Sequence, residues 1–142
     1  MKTTARNQFF GRIANVNAGP STTTVRVALD GGQQVTASLT TEAAQELQVK
    51  IGQDALALVK SSEVVLVTDF GGYKLSARNQ LAGTVSRVER GAVSSLIGLT
   101  LPGGAVVTAS VTNDAVDGLA LVVGNPATAV FKAYAVMLAV RE

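Results

Sequence analysis

Basic and hydroxyl side chains recur at matching places in the two halves of the chain, and they are the residues best suited to chemistry. The segment Thr4-Ala5-Arg6-Asn7-Gln8 returns as Ser76-Ala77-Arg78-Asn79-Gln80, and Lys60 returns as Lys132. A guanidinium presents a fork of N–H donors, an ammonium a point positive charge, and a hydroxyl one further donor. A tetrahedral oxyanion needs donors of this kind around it and no acceptor facing it. Each residue alone has an ordinary explanation as a solvated cation or a cap, but their joint recurrence favours an anion site.

A threonine precedes a short predicted helix in each half, and it extends the same argument. Thr40 and Thr112 stand where these helices begin, so free backbone amides are expected beside them. The simpler interpretation is that each threonine is only an N-cap. Glu42 and Asp114, in the first turn of each helix, are interpreted as structural residues that complement the helix dipole.

Composition argues against an enzyme and against a cation site. The 142 residues include no histidine and no cysteine, which removes the commonest general base, the thiolate nucleophile and the usual transition-metal ligands. No phosphate-binding loop or dinucleotide fingerprint is present. No pair of carboxylates suited to acid–base catalysis recurs at matching positions of both copies. We therefore expect no catalysis, no organic cofactor and no bare metal cation.

An internal repeat sets the domain organisation. Shifting the chain by 72 residues, without a gap, superposes Gly31-Gly32 on Gly103-Gly104 and Val35-Thr36-Ala37-Ser38 on Val107-Thr108-Ala109-Ser110. A gapless register over such a length indicates a duplication. It predicts a first domain at 1–69, a linker at 70–73 and a second domain at 74–142.

Hydrophobic alternation and turn residues predict an all-β fold. The paired glycines mark hairpin turns, and the alternating segments around them predict strands. In the first copy the predicted strands are Phe9–Val16, Thr23–Leu29, Gln34–Leu39, Ala55–Lys60 and Val64–Thr68, with a short helix at Thr41–Leu47. This pattern is typical of two tandem OB-like five-stranded barrels, each with one short helix.

The last strand of each copy is apolar on both faces. Residues 64–67 and 135–140 show no alternation, which indicates that both faces are covered. The cover comes either from another subunit, which we favour, or from the other copy in the same chain.

The Arg-Asn segments, with Gly11 and Gly83, resemble the signature of the Mop family of TOBE-like molybdenum-binding domains, and the tandem arrangement is similar to the di-Mop proteins. The resemblance covers the whole chain and implies that molybdate or tungstate binds between the subunits of a homotrimer. One class of site would take Thr4, Arg6 and Asn7 from one domain and the other residues from a neighbouring domain, namely Thr40, Ala43, Lys60 and Ser61. The equivalent set in the second copy is Ser76, Arg78 and Asn79 with Thr112, Ala115, Lys132 and Ala133.

The resemblance also implies a second class of oxyanion site, near the threefold axis of the trimer. It would use the turn Gly91, Ala92, Val93 and Ser94 and its counterpart Gly19, Ser21 and Thr22. Pro20 stands where Ala92 stands in the second copy and removes a backbone donor. Ala133 in place of Ser61 removes a hydroxyl, so we expect the sites to differ in affinity.

The function implied is intracellular storage and homeostasis of the oxyanion. The alternative is an effector module that senses molybdate for a transcription regulator or a transporter ATPase. For a regulator, a DNA-binding half would be expected upstream, and this chain would then be a fragment of the longer protein. No apolar run is long enough for a membrane span and no signal peptide is evident, so a cytoplasmic location is expected. Nucleic-acid binding is not expected: only 4% of the residues are aromatic, the net charge is +2, and the aromatics do not recur as a matched set.

Overall fold

The computed structural model describes residues 1–141, so Glu142, at the end of the predicted second domain, lies outside it. The first half contains a long strand, a hairpin, a six-residue helix and two further strands joined by a 3-10 turn at Ser61–Glu63. Their bounds are β1 Asn7–Ala18, β2 Thr22–Leu29, β3 Gln34–Thr40, α1 Thr41–Glu46, β4 Asp54–Val59 and β5 Val65–Val67.

The second half repeats this order of elements. The bounds are β6 Asn79–Arg90, β7 Ser94–Thr100, β8 Val106–Thr112, α2 Asn113–Gly118, β9 Pro126–Phe131 and β10 Met137–Val140, with a 3-10 turn at Ala133–Ala135. The predicted all-β class, with two five-stranded units and one short helix in each, is confirmed. The 3-10 turns were not predicted. Neither helix in residues 1–141 has the length and hydrophobicity needed to cross a bilayer.

In β1 and β2, alternation along the strand buries one face of the sheet. In β1, Phe9 and Ile13 are buried while Gln8 and Phe10 are exposed, and in β2 Val25 and Val27 are fully enclosed. Side chains of period two on a twisted sheet place every second residue in the core. The alternating apolar residues recognised in the sequence of these strands are therefore the residues that form the core.

The two halves exchange their last strands. One sheet has the order β10-β4-β1-β2-β3 and the other β5-β9-β6-β7-β8, all neighbours running antiparallel. Met137 pairs with Leu58 of β4, and Val65 pairs with Val130 of β9. The expectation that the strand at Val64–Thr68 closes its own copy is wrong. The proposed boundary at 70–73 follows the repeat, but strand pairing crosses it in both directions.

The exchange gives each apolar last strand a paired neighbour from the other copy in the same chain. This pairing covers one edge of the strand, and which partner covers its faces stays a prediction. Val65 and Met137 nevertheless remain 59% and 55% exposed, so part of each strand stays uncovered within one chain.

The hairpin tips of the two halves meet. A Cβ on Gly103, whose φ is +93°, would clash with the backbone of Gly31. Both glycines are therefore needed for close approach, and Gly103 is needed for the positive φ of its turn as well. The predicted hairpin glycines thus also serve as an interdomain contact.

Candidate functional site

A cavity of about 310 Å³ lies between the two halves and is lined by several of the predicted site residues. From the second half it is lined by Ser76, Ala77, Arg78, Lys132, Ala133 and Tyr134, and from the first half by Thr24 and Ser38. It contains two cations and four hydroxyl-bearing side chains, and no carboxylate lines it. Such a lining suits an anion.

Strand register explains why the two cations meet. Asn79 of β6 pairs with Phe131 of β9, so the residues just outside this pair, Arg78 and Lys132, stand at neighbouring strand ends. The resemblance assigns Lys132 and Ala133 to a neighbouring domain, whereas the structure places them in the same copy as Ser76 and Arg78. Two adjacent like charges repel each other, and an anion between them would relieve that repulsion.

The charges of Arg78 and Lys132 are not compensated by carboxylates. Within residues 1–141 the ion pairs are Arg12 with Asp54, Arg87 with Glu89, and Arg90 with Asp117. Both cavity cations are exposed to solvent, so their field is partly screened. Burial by a ligand or by a neighbouring subunit would strengthen it.

Thr24 and Ser38 were not predicted as site residues. They pair directly across β2 and β3, so their side chains share one face, and both are half-buried. The 3-10 turn at Ala133–Ala135 packs against β3, which brings this face to the second half. Because the contact spans the two copies, no local sequence signal points to it.

Asn79 has a structural role that the sequence did not indicate. Its side chain is 1% exposed and bonds both backbone groups of Thr36: Oδ1 accepts from the Thr36 amide at 2.7 Å, and Nδ2 donates to the Thr36 carbonyl at 2.8 Å. Asn7 bonds Thr108 in the same way, at 2.7 and 2.8 Å. Each amide side chain thus pairs with an edge strand of the other half, and these bonds engage its Oδ1 and one N–H of its Nδ2.

The first-half counterpart of the cavity follows the same register. Asn7 pairs with Val59, which sets Arg6 beside Lys60, with Thr4 preceding and Ser61 opening the 3-10 turn. That turn packs against β8 of the second half. The predicted residues Thr4, Arg6, Lys60 and Ser61 therefore lie in one copy, next to or within a turn that packs against the other copy.

The threonines before the helices act as N-caps. Thr40 Oγ1 accepts from the Ala43 amide at 3.1 Å, and Thr112 Oγ1 accepts from the Ala115 amide at 3.2 Å. These bonds engage the backbone donors expected for the oxyanion. The cap residues do not line the cavity described above; Thr40 lies two residues beyond Ser38 on β3.

The two turns predicted as a second class of site lie beside these caps. Thr22 pairs with Thr40, and Ser94 pairs with Thr112. In the first copy the Gly19 amide donates to the Thr22 carbonyl, and the Ser21 carbonyl accepts from the Thr41 amide. In the second copy the Gly91 amide donates to the Ser94 carbonyl, and the Val93 carbonyl accepts from Asn113. Ala92 and Val93 are exposed at the tip.

The ion pair between Arg90 and Asp117 has no counterpart in the first half. Arg90 donates two hydrogen bonds to Asp117, at 2.9 and 3.0 Å. The hydrogen bond and the charge of Arg90 lower the pKa of Asp117, and the same contacts raise the pKa of Arg90. The first half has Ala18 and Gln45 at these positions, so this contact breaks the symmetry of the repeat.

Sequence comparison defines the class of protein. The profile of the TOBE domain matches residues 3–66 and 75–138, once in each copy. The chain therefore belongs to the TOBE domain family, in a tandem arrangement, and the predicted resemblance is confirmed.

Three relatives match this chain over nearly its whole length. The fold superposes with a TM-score of 0.96 on a structure of the cytoplasmic molybdate-binding protein ModG with molybdate bound, at 43% identity over 99% of this chain and 100% of that one. The molybdenum transport protein ModE of Herbaspirillum seropedicae is 65% identical over 142 residues, 100% of this chain and 53% of that protein. The molybdenum-pterin-binding protein MopB of Rhodobacter capsulatus is 36% identical over 98% of this chain and 52% of its own length. The chain thus spans about half the length of these curated relatives.

Proposed function

We propose that the chain binds molybdate or tungstate, without converting it, as an intracellular store of the oxyanion. The observation that carries this proposal is the cavity between the halves, where Arg78 and Lys132 stand without a carboxylate among donor side chains. The relatives named for molybdenum, and the molybdate bound to ModG, support a tetrahedral dianion as the ligand.

The donor set is sufficient for micromolar affinity once the site is covered. A hydrogen bond to a charged group contributes about 1.5–3 kcal/mol. Four to six of them, less the cost of immobilising the ligand and the side chains, reach the roughly −8 kcal/mol of micromolar binding. Because Arg78 and Lys132 are exposed, each contact belongs at the lower end of that range until the site is covered.

We propose that a homotrimer provides this cover. Val65 and Met137 stay more than half exposed although their strands are paired, and Val93 is 77% exposed at a turn tip. Association would bury these side chains and bring a second subunit near the turns Gly19–Thr22 and Gly91–Ser94. The helix caps at Thr40 and Thr112 would then face a neighbouring subunit, as the family resemblance implies.

A sensing role is the second candidate. It is favoured by the 65% identity to a ModE protein of which this chain spans only 53%. In that case the same site would bind the oxyanion and change the assembly of a larger protein. The binding chemistry is common to both candidates; they differ in whether a further domain responds.

The test is isothermal titration with molybdate, tungstate and sulfate on protein whose mass is measured by light scattering. We expect micromolar or tighter molybdate binding, and a trimeric mass. Arg78→Ala should weaken one site per chain by about 10- to 150-fold, since a charge-assisted contact of about 1.5–3 kcal/mol is lost.

Arg87→Ala is the matched control, because it also removes one positive charge but from an exposed pair with Glu89. It should leave the titration unchanged. A folded wild-type protein that gives no heat with either molybdate or tungstate would refute the oxyanion proposal, whereas equal losses in the two variants would refute the cavity as its location.

A further inference from the structure

We propose that the two oxyanion sites of one chain are unequal, the second-half cavity binding more tightly, and that Thr24, Leu96 and Glu63 determine the difference. This inference rests on the proposed function. It assigns the difference in affinity to three residues that the sequence did not single out as ligands. The argument is taken from the positions around the cavity where the two copies of the repeat differ.

The first departure concerns the wall that faces the cations. In the second-half cavity this wall consists of Thr24 and Ser38, which are directly paired in the sheet. At the equivalent place in the first-half site, Leu96 is directly paired with Ser110. Leu96 is half-buried, as Thr24 is. The threonine hydroxyl is therefore replaced by an apolar side chain that can donate nothing to an anion and displaces water from it.

The second departure concerns charge. Glu63 ends the 3-10 turn that follows Lys60, and its amide bonds the Lys60 carbonyl at 3.0 Å. Ala135 holds the equivalent position after Lys132. The first-half site thus has a carboxylate within its own turn, and this charge opposes a dianion. Because Glu63 is exposed, the repulsion should weaken as salt is added.

Other differences between the two sites do not reverse the expected order of affinity. Ser61 and Ser62 stand where the second half has Ala133 and Tyr134. The first-half site therefore has one hydroxyl more, from Ser61, and a serine hydroxyl in place of the tyrosine phenol. These hydroxyls follow Lys60 on the same wall as the cations. A tetrahedral anion needs donors from opposite sides, and only the second-half cavity has two hydroxyl residues on the facing wall.

The experiment isolates each site within the full chain. Arg6→Ala leaves the second-half cavity intact, and Arg78→Ala leaves the first-half site intact; circular dichroism and light scattering check folding and assembly. In molybdate titrations at low salt, the Arg6→Ala chain should bind at least tenfold more tightly than the Arg78→Ala chain. The gap should narrow when salt is raised.

Exchanging Thr24, Leu96 and Glu63 for other residues then tests whether these side chains cause the difference in affinity. Thr24→Leu in the Arg6→Ala chain should weaken binding about tenfold, and Leu96→Thr with Glu63→Gln in the Arg78→Ala chain should strengthen it by a similar factor. Equal affinities of the two single-site chains, or exchanges without effect, would overturn the inference while leaving the proposed function intact. A wild-type chain that binds no molybdate would overturn both.

Discussion

Replacing Asn79 with alanine should destabilise the protein far more than its position beside a predicted ligand suggests. The side chain is 1% exposed and satisfies both backbone groups of Thr36, at 2.7 and 2.8 Å. β3 is an edge strand, so the outward N–H and C=O of Thr36 have no neighbouring strand to bond. Asn79 takes the place of that strand.

The magnitude follows from these two bonds. Each buried backbone group left without a partner costs about 1–3 kcal/mol. Partial entry of water into the space left by the side chain would reduce the sum, so we expect a loss of about 3 kcal/mol. With a urea dependence of about 1–3 kcal/mol per molar, the unfolding midpoint should fall by about 1–3 M.

The assay is urea unfolding followed by far-ultraviolet circular dichroism, with Gln8→Ala as control. Gln8 is an exposed strand residue, and its replacement should change the free energy of unfolding by no more than about 0.5 kcal/mol. Asn79→Asp should also be destabilising at neutral pH, because a carboxylate accepts from the Thr36 amide but repels the Thr36 carbonyl. If Asn79→Ala unfolded at the same urea concentration as Gln8→Ala, the structural role assigned to this side chain would be refuted.

Three further outcomes are expected. Gly103→Ala should lower the melting temperature more than Gly104→Ala, since both glycines have positive φ but only a Cβ at 103 meets the backbone of Gly31; equal losses would contradict that contact. Arg90→Leu should raise the pKa of Asp117 in an NMR titration, and the stability that the pair adds at neutral pH should disappear as the pH falls below about 4; an unchanged pKa would count against the pair. Removal of β10 should speed amide exchange along β4 rather than β9, and the reverse pattern would rule out the strand exchange.

The sequence predicted the elements well because their signals are local. Alternation, the paired glycines and the threonine before each helix act within a few residues, and the repeat gave each signal twice. The exchange of β5 and β10 has no such signal. Both strands are short and apolar, so either of them fits beside β4 or β9, and the choice depends on the path of the segment between Val67 and Asn79.

The sequence indicated which residue types could form the site, but not how the fold would group them. Arg78 and Lys132 converge because strand register brings their two strand ends together, a relation that the sequence carries only once the pairing of β6 with β9 is known. Asn79 shared their motif and was interpreted as a ligand, since a sequence does not show which polar side chains are buried. Its partner Thr36 is 43 residues away and in the other copy.

The position of Asn79 also gives a physical reason for an asparagine directly after the arginine. Asn79 fixes the second half to Thr36 of β3, and Ser38 lies two residues further along the same face of that strand. Arg78 directly precedes Asn79, so one pair of hydrogen bonds sets the separation between the wall that carries Arg78 and the wall that carries Ser38.

A ligand bound between these walls would contact residues of both halves, and it would stabilise the same contact between the halves that Asn79 makes. If the proposed site is correct, binding and the docking of the two halves are linked: an oxyanion that fits the cavity would favour the docked arrangement, and a weakened Asn79 contact should lower the affinity.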